Sequence, residues 1–204
     1  ECLDPIMLKD LDQRLAELPA EQRSRGTVVV MHQMGSHGPA YFKRSAAALK
    51  KFQPECTSTN LQECTQAQVV NAYDNSIVQT DQFLDSVINW LSAQSDKAQS
   101  AMIYVADHGE SLGENNIYLH GLPYSIAPDV QKHVPWITWL SPAMQARTHV
   151  TTGCLQQDVA QRRVTHDNYF HSVLGLMDVQ TGAYSPALDM FAGCRQQPNG
   201  PLAG

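Results

Sequence analysis

The sequence lacks any apolar run near the roughly 20 residues that a transmembrane helix requires, so no membrane span is predicted within it. It also lacks a concentrated basic surface, since 14 basic residues are set against 20 acidic ones and only Lys43–Lys51 is rich in positive charge. Nucleic-acid binding depends on clustered positive charge, so a nucleic-acid partner is not expected. No charged and then apolar leader opens the chain. Its abrupt beginning predicts a fragment with further sequence upstream.

The five cysteines lack the spacing of a structural zinc site, because no Cys-x-x-Cys pair and no nearby histidine complete a ligand set. Cys56 and Cys64 bracket a short polar loop that is compatible with a local disulfide. Cys154 and Cys194 lie in other segments that are predicted to be loops. Cys2 is the natural candidate for the unpaired fifth cysteine, because its partner can lie upstream. An oxidising compartment is therefore predicted.

Short apolar runs and longer helical repeats alternate along the chain. The apolar runs predict buried strands over Thr27–Met31, Ala101–Ala106 and His133–Leu140. The 3.6-residue repeat predicts helices over residues 4–18, Gln66–Leu91 and His166–Met177. Such alternation is typical of an α/β fold in which helices cover both faces of a mostly parallel sheet, an α/β/α sandwich. With 43% hydrophobic residues, the chain is predicted to form a single domain over residues 1–204.

Ligand-type side chains follow two of the three predicted strands. His32 and His37 come after the first strand, Asp107 and His108 directly after the second, and His120 a little later. In open α/β sheets, ligands bind beyond the carboxyl ends of the strands. Imidazole nitrogen and carboxylate oxygen are the ligands of a divalent ion such as zinc. Asp107 and His108 are therefore predicted to bind a metal, with His37 and His120 joining them.

Several polar residues have a simpler structural interpretation. A lone histidine is more often hydrogen-bonded within the fold than bound to a metal, and this interpretation is kept for His32, His133, His149 and His171. Glu110 and Glu114 are expected to solvate their loop or to cap the next turn. The aspartates of the long predicted helix are expected to form a solvated face.

Five stretches in sequence order resemble one enzyme family: "HQMGSHGPAYFKR", "NAYDNSIVQTDQFL", "YVADHGESLGENNIYLHGLPYSIAP", "VTHDNYFHSVLGLMDV" and "ALDMFAGCR". They are similar to the C-terminal part of the periplasmic catalytic domain of the lipid A phosphoethanolamine transferases. This group includes the mobile colistin-resistance enzymes and belongs to the alkaline phosphatase/sulfatase-like superfamily. The resemblance implies that superfamily's α/β/α sandwich.

The resemblance also implies roles for individual residues. Asp107 and His108 match an Asp-His pair that binds zinc in the family, together with a glutamate and a threonine nucleophile. His37 and His120 match two histidines that bind the phosphoryl group of the substrate or a second zinc. Cys56–Cys64 matches a family disulfide, whereas pairing of Cys154 with Cys194 is inferred only by elimination.

In the family, threonine attacks phosphatidylethanolamine, and the phosphoethanolamine is then passed from threonine to a phosphate of lipid A. The resemblance places this chemistry at the periplasmic face of the bacterial inner membrane and links it to polymyxin resistance. The family's nucleophile, its metal-binding glutamate and its N-terminal membrane domain lie upstream of the matching segment. The 204-residue chain is therefore predicted to be inactive by itself and to bind zinc weakly.

Two other functions remain open at this stage. The first is a hydrolase of the same superfamily, a phosphatase or a sulfatase, in which water is the final acceptor. The second is a noncatalytic secreted binding domain that has kept the fold and lost the chemistry.

Overall fold

The computed structural model describes residues 2–195, which divide into two compact units. One unit contains the residues up to 90 together with Ile103–Ile137. The other contains residues 91–102 and 138–195. The predicted metal and phosphate contacts all lie in the first unit.

The first unit begins with three short helical segments instead of the single helix predicted over residues 4–18. A 3-10 helix covers Asp4–Leu8, α1 covers Leu11–Ala16 and α2 covers Ala20–Ser24. The single-helix prediction is wrong because Asp10 has a left-handed backbone, with φ 57°. That conformation interrupts the hydrogen-bond ladder that a continuous helix needs.

The predicted strand Thr27–Met31 is absent: the segment has no regular secondary structure. Its valines are exposed, with Val30 82% accessible. A strand is stable only when a neighbouring backbone pairs with it, and no other segment within residues 2–195 does so here. An apolar, β-branched composition therefore did not suffice to make this segment a strand.

The long predicted helix is confirmed as α3, Gln66–Ala93. Its buried face is partly polar, which apolar periodicity does not predict. Asn75 exchanges hydrogen bonds with the backbone of Phe52, and Gln79 Oε1 accepts from the backbone N–H of Ala46. These buried amides hold the irregular segment before α3 against the helix. The adjoining core contains Tyr41, Cys56, Leu61, Val69 and Ala72.

Two small sheets are present in the described part of the chain. Strands β1 (Ala101–Val105) and β4 (Trp136–Leu140) pair in one sheet, which confirms both predicted strands. The other sheet is an antiparallel hairpin of β2 (Ser111–Leu112) and β3 (Tyr118–Leu119), which was not predicted. Ser111 pairs with Leu119 and Leu112 with Tyr118. This register fixes which residues beyond the strand ends lie opposite each other.

The second unit carries α4 (Pro142–Thr148), α5 (Thr152–Val159) and α6 (Asp167–Leu176). The hydroxyls of Ser141 and Thr151 accept the N–H groups of Met144 and Cys154, which are N-cap interactions. Cys154 therefore lies in a helix, not in the loop that was predicted. The helix predicted over His166–Met177 is confirmed as α6.

Disulfide bonds join Cys56 to Cys64 in the first unit and Cys154 to Cys194 in the second. Cys2 has a free, exposed thiol. Among the helices of residues 2–195, none combines the length and the apolar composition that crossing a bilayer requires.

Candidate metal centre

Three histidines from separate chain segments converge in the first unit. His37 lies in the irregular segment before α3, His108 follows β1, and His120 directly follows β3. One ring nitrogen from each histidine lies within 4.8 Å of those of the other two. The structure thus brings together three of the four residues that the sequence analysis assigned to metal or phosphate.

The three imidazole rings pack directly on one another. The rings of His108 and His120 are stacked, with centroids 3.8 Å apart. His37 meets them edge-on, with its centroid 4.9 Å from that of His120 and 5.7 Å from that of His108. The rings therefore form one compact cluster.

The hydrogen bonds of the rings fix which nitrogen carries the proton in the neutral state. Nδ1 of His37 lies 2.7 Å from the carbonyl oxygen of Gly38, and Nδ1 of His108 lies 3.0 Å from that of Gly109. Nδ1 of His120 lies 3.3 Å from a carboxylate oxygen of Glu110. Carbonyl and ionised carboxylate oxygens only accept, so each Nδ1 donates. Each Nε2 then keeps its lone pair, which is the state that binds a metal ion.

Asp107 lies at the rim of this cluster and is not one of its three members. Its side chain is 80% exposed, and its Oδ2 is 3.8 Å from Nε2 of His108. Its Oδ1 accepts the backbone N–H of His108 at 3.0 Å. One carboxylate oxygen is therefore used in the turn, and the other faces the nitrogen with which it would share an ion.

These distances can be compared with a tetrahedral zinc site. Bonds of about 2.0–2.1 Å to imidazole nitrogen place two ligand atoms about 3.3 Å apart. The spacing between Asp107 and His108 is close to that value, whereas the histidine cluster is more open, with separations of up to 4.8 Å. Nitrogen and carboxylate donors with free lone pairs fit zinc, and these residues are able to hold it.

Glu110 is buried beside the histidines, contrary to the expectation that it solvates its loop. Its side chain is 4% exposed. Oε1 accepts the backbone N–H of Gly38 at 3.1 Å, and Oε2 accepts the hydroxyl of Tyr41 at 3.2 Å. Burial, followed by the nearby charge of Glu110, raises the pKa of Tyr41, so this phenol remains a donor. Glu114, by contrast, caps the turn as expected, because it accepts the N–H of Leu112.

The segment that carries His37 is held by side chains from elsewhere in the first unit. Asp4 accepts the backbone N–H groups of Met34 and Gly35 at 3.0 and 2.9 Å. Nε of Arg44 donates to the carbonyl oxygen of His37 at 3.1 Å. The imidazole of His37 is thus presented from a fixed backbone.

Two glycines beside the histidines are required by close packing. A Cβ at Gly38 would overlap the ring of Tyr41 and the side chain of Leu119. A Cβ at Gly109 would overlap the carbonyl oxygen of Val130. The His-Gly pairs therefore let neighbouring segments approach the histidines closely.

The other histidines lie outside the cluster. Nδ1 of His171 accepts the backbone N–H of Ser185 at 3.0 Å, which agrees with its structural interpretation. His32, His133 and His149 are exposed. Glu110 and Tyr41 are the site residues that sequence reasoning missed. The hairpin that aligns Glu110 with His120 is the pattern that could have revealed Glu110.

The sulfatase family model matches residues 1–179, and the chain belongs to the sulfatase family. It is 43% identical over 196 residues to phosphoethanolamine transferase EptA of Salmonella typhimurium, covering 96% of this chain and 35% of that protein. It is 40% identical over 179 residues to phosphatidylethanolamine transferase Mcr-1 of Escherichia coli, covering 88% of this chain and 31% of that protein.

A solved structure is similar throughout the chain. It is the soluble domain of lipooligosaccharide phosphoethanolamine transferase A from Neisseria meningitidis, with a TM-score of 0.89 and 42% identity. The match covers 97% of this chain and 57% of that domain. These comparisons confirm the resemblance to the phosphoethanolamine transferases and the α/β/α fold of the alkaline phosphatase/sulfatase-like superfamily, whose sheets are small in this chain. The chain spans about a third of the length of the curated relatives it matches.

Proposed function

We propose that this chain carries the metal-binding edge of a zinc-dependent enzyme that transfers phosphoethanolamine from phosphatidylethanolamine to a phosphate of lipid A. The observation that carries the proposal is the convergence of His37, His108 and His120, each with Nδ1 engaged in a hydrogen bond, and the approach of Asp107 Oδ2 to within 3.8 Å of Nε2 of His108. The similarity to transferases whose names specify phosphoethanolamine and phosphatidylethanolamine supports the choice of donor.

In this proposal Asp107 and His108 are zinc ligands, and His37 and His120 contact a second ion or the phosphoryl group. When bound, zinc supplies positive charge that offsets the charge on phosphoryl oxygens. A neutral ring with Nδ1 donating offers a lone pair at Nε2, which suits a cation. A phosphate oxygen would instead require a proton on that nitrogen. The hydrogen bonds of His37 and His120 therefore favour metal binding whenever these rings are neutral.

The transfer proceeds in two steps through a covalent phospho-threonine. The threonine oxygen bonds to phosphorus as the bond to diacylglycerol breaks, and the lipid A phosphate then displaces threonine. We infer that the threonine and a metal-binding glutamate lie outside these 204 residues. The chain is then the C-terminal portion of a periplasmic catalytic domain. The 204 residues by themselves are then inactive. The complete protein acts at the periplasmic face of the inner membrane, attached by an N-terminal membrane domain, and confers resistance to polymyxins such as colistin.

A hydrolase is the second candidate, and the match to the sulfatase family favours it. A phosphatase or sulfatase would use the same histidines and aspartate but would pass the group to water. The two functions differ in the product, because only the transferase leaves phosphoethanolamine on lipid A.

The test is to express the protein from its complete reading frame in a bacterium whose lipid A lacks phosphoethanolamine. Mass spectrometry of extracted lipid A is expected to detect the added group, and metal analysis of the purified protein is expected to find zinc. The Asp107→Ala and His108→Ala variants should lose both. His149→Ala, at an exposed histidine in the second unit, is the matched control and should retain both. Unmodified lipid A together with release of free phosphate or sulfate would favour the hydrolase.

A further inference from the structure

The carboxylate of Glu110 connects the two segments that carry His37 and His120. It accepts the N–H of Gly38, the residue after His37, and it lies 3.3 Å from Nδ1 of His120. Tyr41 donates to its other oxygen. A single side chain, 4% exposed, therefore touches both sides of the histidine cluster.

The hairpin register explains why Glu110 meets His120. Ser111 pairs with Leu119 and Leu112 with Tyr118, so the next positions outward are Glu110 and His120. Directly opposed residues of an antiparallel pair have Cβ atoms about 4.5–5.5 Å apart, a distance that a glutamate and a histidine side chain can bridge. The contact is thus a consequence of the backbone pairing.

Burial of this carboxylate requires compensation. An ionised carboxylate that leaves water without partners is strongly unfavourable. The backbone N–H, the phenol and the imidazole N–H supply three donors, and hydrogen bonds to an ionised acceptor are stronger than neutral ones. A glutamate that merely solvated the loop would not need this buried set of donors.

We propose that Glu110 is a positioning residue, which holds the ring of His120 in one orientation with its proton on Nδ1 and so presents the lone pair of Nε2 to a bound metal ion. Through Gly38 and Tyr41 it also fixes His120 relative to the segment that carries His37. The inference rests on the proposed function for the identity of the ligand. The orientation and proton position of His120 are properties of the metal-free protein.

The experiment uses the protein expressed from its complete reading frame, labelled with ¹⁵N-histidine and stripped of metal by a chelator. At alkaline pH, long-range ¹⁵N–¹H correlation spectra distinguish Nδ1–H from Nε2–H tautomers. For wild type, we expect His120 to carry its proton on Nδ1. In Glu110→Ala we expect a shift toward the Nε2–H tautomer, which free neutral histidine favours, and a fall in zinc affinity of about 10–100-fold.

Two further variants separate positioning from general stability. Glu110→Gln keeps an acceptor oxygen and should recover the Nδ1–H tautomer of His120 at least in part. Glu114→Ala removes a neighbouring carboxylate that caps the Leu112 N–H, and it should leave the His120 tautomer unchanged. If Glu110→Ala does not fold, the tautomer of His120 in the wild-type protein still tests the proposal.

A wild-type His120 with its proton on Nε2 would overturn the proposal. So would a folded Glu110→Ala protein with an unchanged tautomer and unchanged zinc affinity. Neither readout requires lipid transfer. If lipid A remained unmodified while the His120 tautomer responded as expected, the proposed function would fail and the positioning role would stand.

Discussion

Asp4 binds the backbone N–H of Gly35, which lies thirty-one residues further along the chain, and its second carboxylate oxygen binds the backbone N–H of Met34. The first helical segment and the segment that leads to His37 are therefore joined by one side chain. The backbone N–H groups of Met34 and Gly35 both donate to the Asp4 carboxylate, and an alanine side chain has no acceptor to take its place.

The Asp4→Ala variant is expected to be less stable by about 1–3 kcal/mol, because hydrogen bonds to a charged acceptor are lost. Urea unfolding followed by circular dichroism measures the change. Asp4→Asn keeps one acceptor oxygen and should lose less. Equal stabilities for wild type and Asp4→Ala would show that these contacts contribute nothing.

A second prediction concerns Gly175 in α6. A Cβ at this position would overlap the Arg195 guanidinium and the Asp189 carboxylate, which form a buried ion pair against the helix. Gly175→Ala should therefore separate a buried pair and destabilise the protein by about 3 kcal/mol or more.

Gly153 in α5 is the matched control, because apart from its two chain neighbours and the backbone of its own helix, no atom lies within 4 Å of the position that its Cβ would take. Gly153→Ala should be neutral or stabilising by up to about 1 kcal/mol, since alanine is the better helix former. Thermal unfolding compares the two variants directly. The packing argument fails if both variants unfold at the same temperature.

The two disulfides are expected to differ in their contributions to stability. Cys154 and Cys194 are separated by 40 residues, whereas Cys56 and Cys64 are separated by 8. Loop-closure entropy assigns about 4 kcal/mol to the longer loop and about 2.5 kcal/mol to the shorter one. Replacing each pair by alanines and measuring the free energy of unfolding tests the order. Each pair has one buried member, Cys194 or Cys56, so the loss of packing is comparable. A larger cost for the shorter loop would contradict the entropic account.

The pH dependence of stability has one identifiable contributor in α3. Partial burial raises the pKa of Asp74 above its ordinary value of 3.8. The folded state then holds the proton more tightly than the unfolded state, so stability falls as pH rises from the ordinary pKa through the raised one. Asp74 is thus only partly exposed, whereas Asp81 and Asp85 are exposed, as expected for a solvated face of this helix.

Asp74→Asn should therefore be more stable than wild type at about pH 7 and should lose that advantage at about pH 3. Denaturant unfolding at both pH values measures the difference in free energy of unfolding between Asp74→Asn and wild type. Asp81→Asn, at an exposed position of the same helix, provides the comparison, because this variant also removes one negative charge from α3. An advantage of Asp74→Asn that stays constant with pH would exclude burial of the charge as its cause.

The elements that sequence predicts well are those with local causes. The repeat of apolar residues predicts α3 nearly to its ends, and the apolar runs predict β1 and β4. Thr27–Met31 has the same composition, yet it forms no strand, because pairing depends on a second segment that periodicity within the first cannot reveal.

The candidate site was predictable in part for the same reason. The end of β1 directed attention to His108, whereas His37 was reached from the predicted strand Thr27–Met31, which the structure does not form. The structure nevertheless brings both together with His120. Glu110 could be recognised only through the hairpin, whose turn has positive φ at Gly113, Asn115 and Asn116. Glycine and asparagine between the short segments Ser111–Leu112 and Tyr118–Leu119 form a turn pattern, and its recognition would have set Glu110 opposite His120.

The hairpin turn also constrains how sequences of this kind can diverge. The number of residues in the turn, Gly113–Ile117, sets the register in which β2 and β3 pair. Side chains along each strand alternate between the two faces of the hairpin. Deleting or inserting one residue there would shift the register and turn Glu110 away from His120. Substitutions in this turn are tolerated wherever the new residue can adopt the same backbone conformation. A change in the length of the turn, by contrast, would disrupt the site as directly as the loss of a histidine.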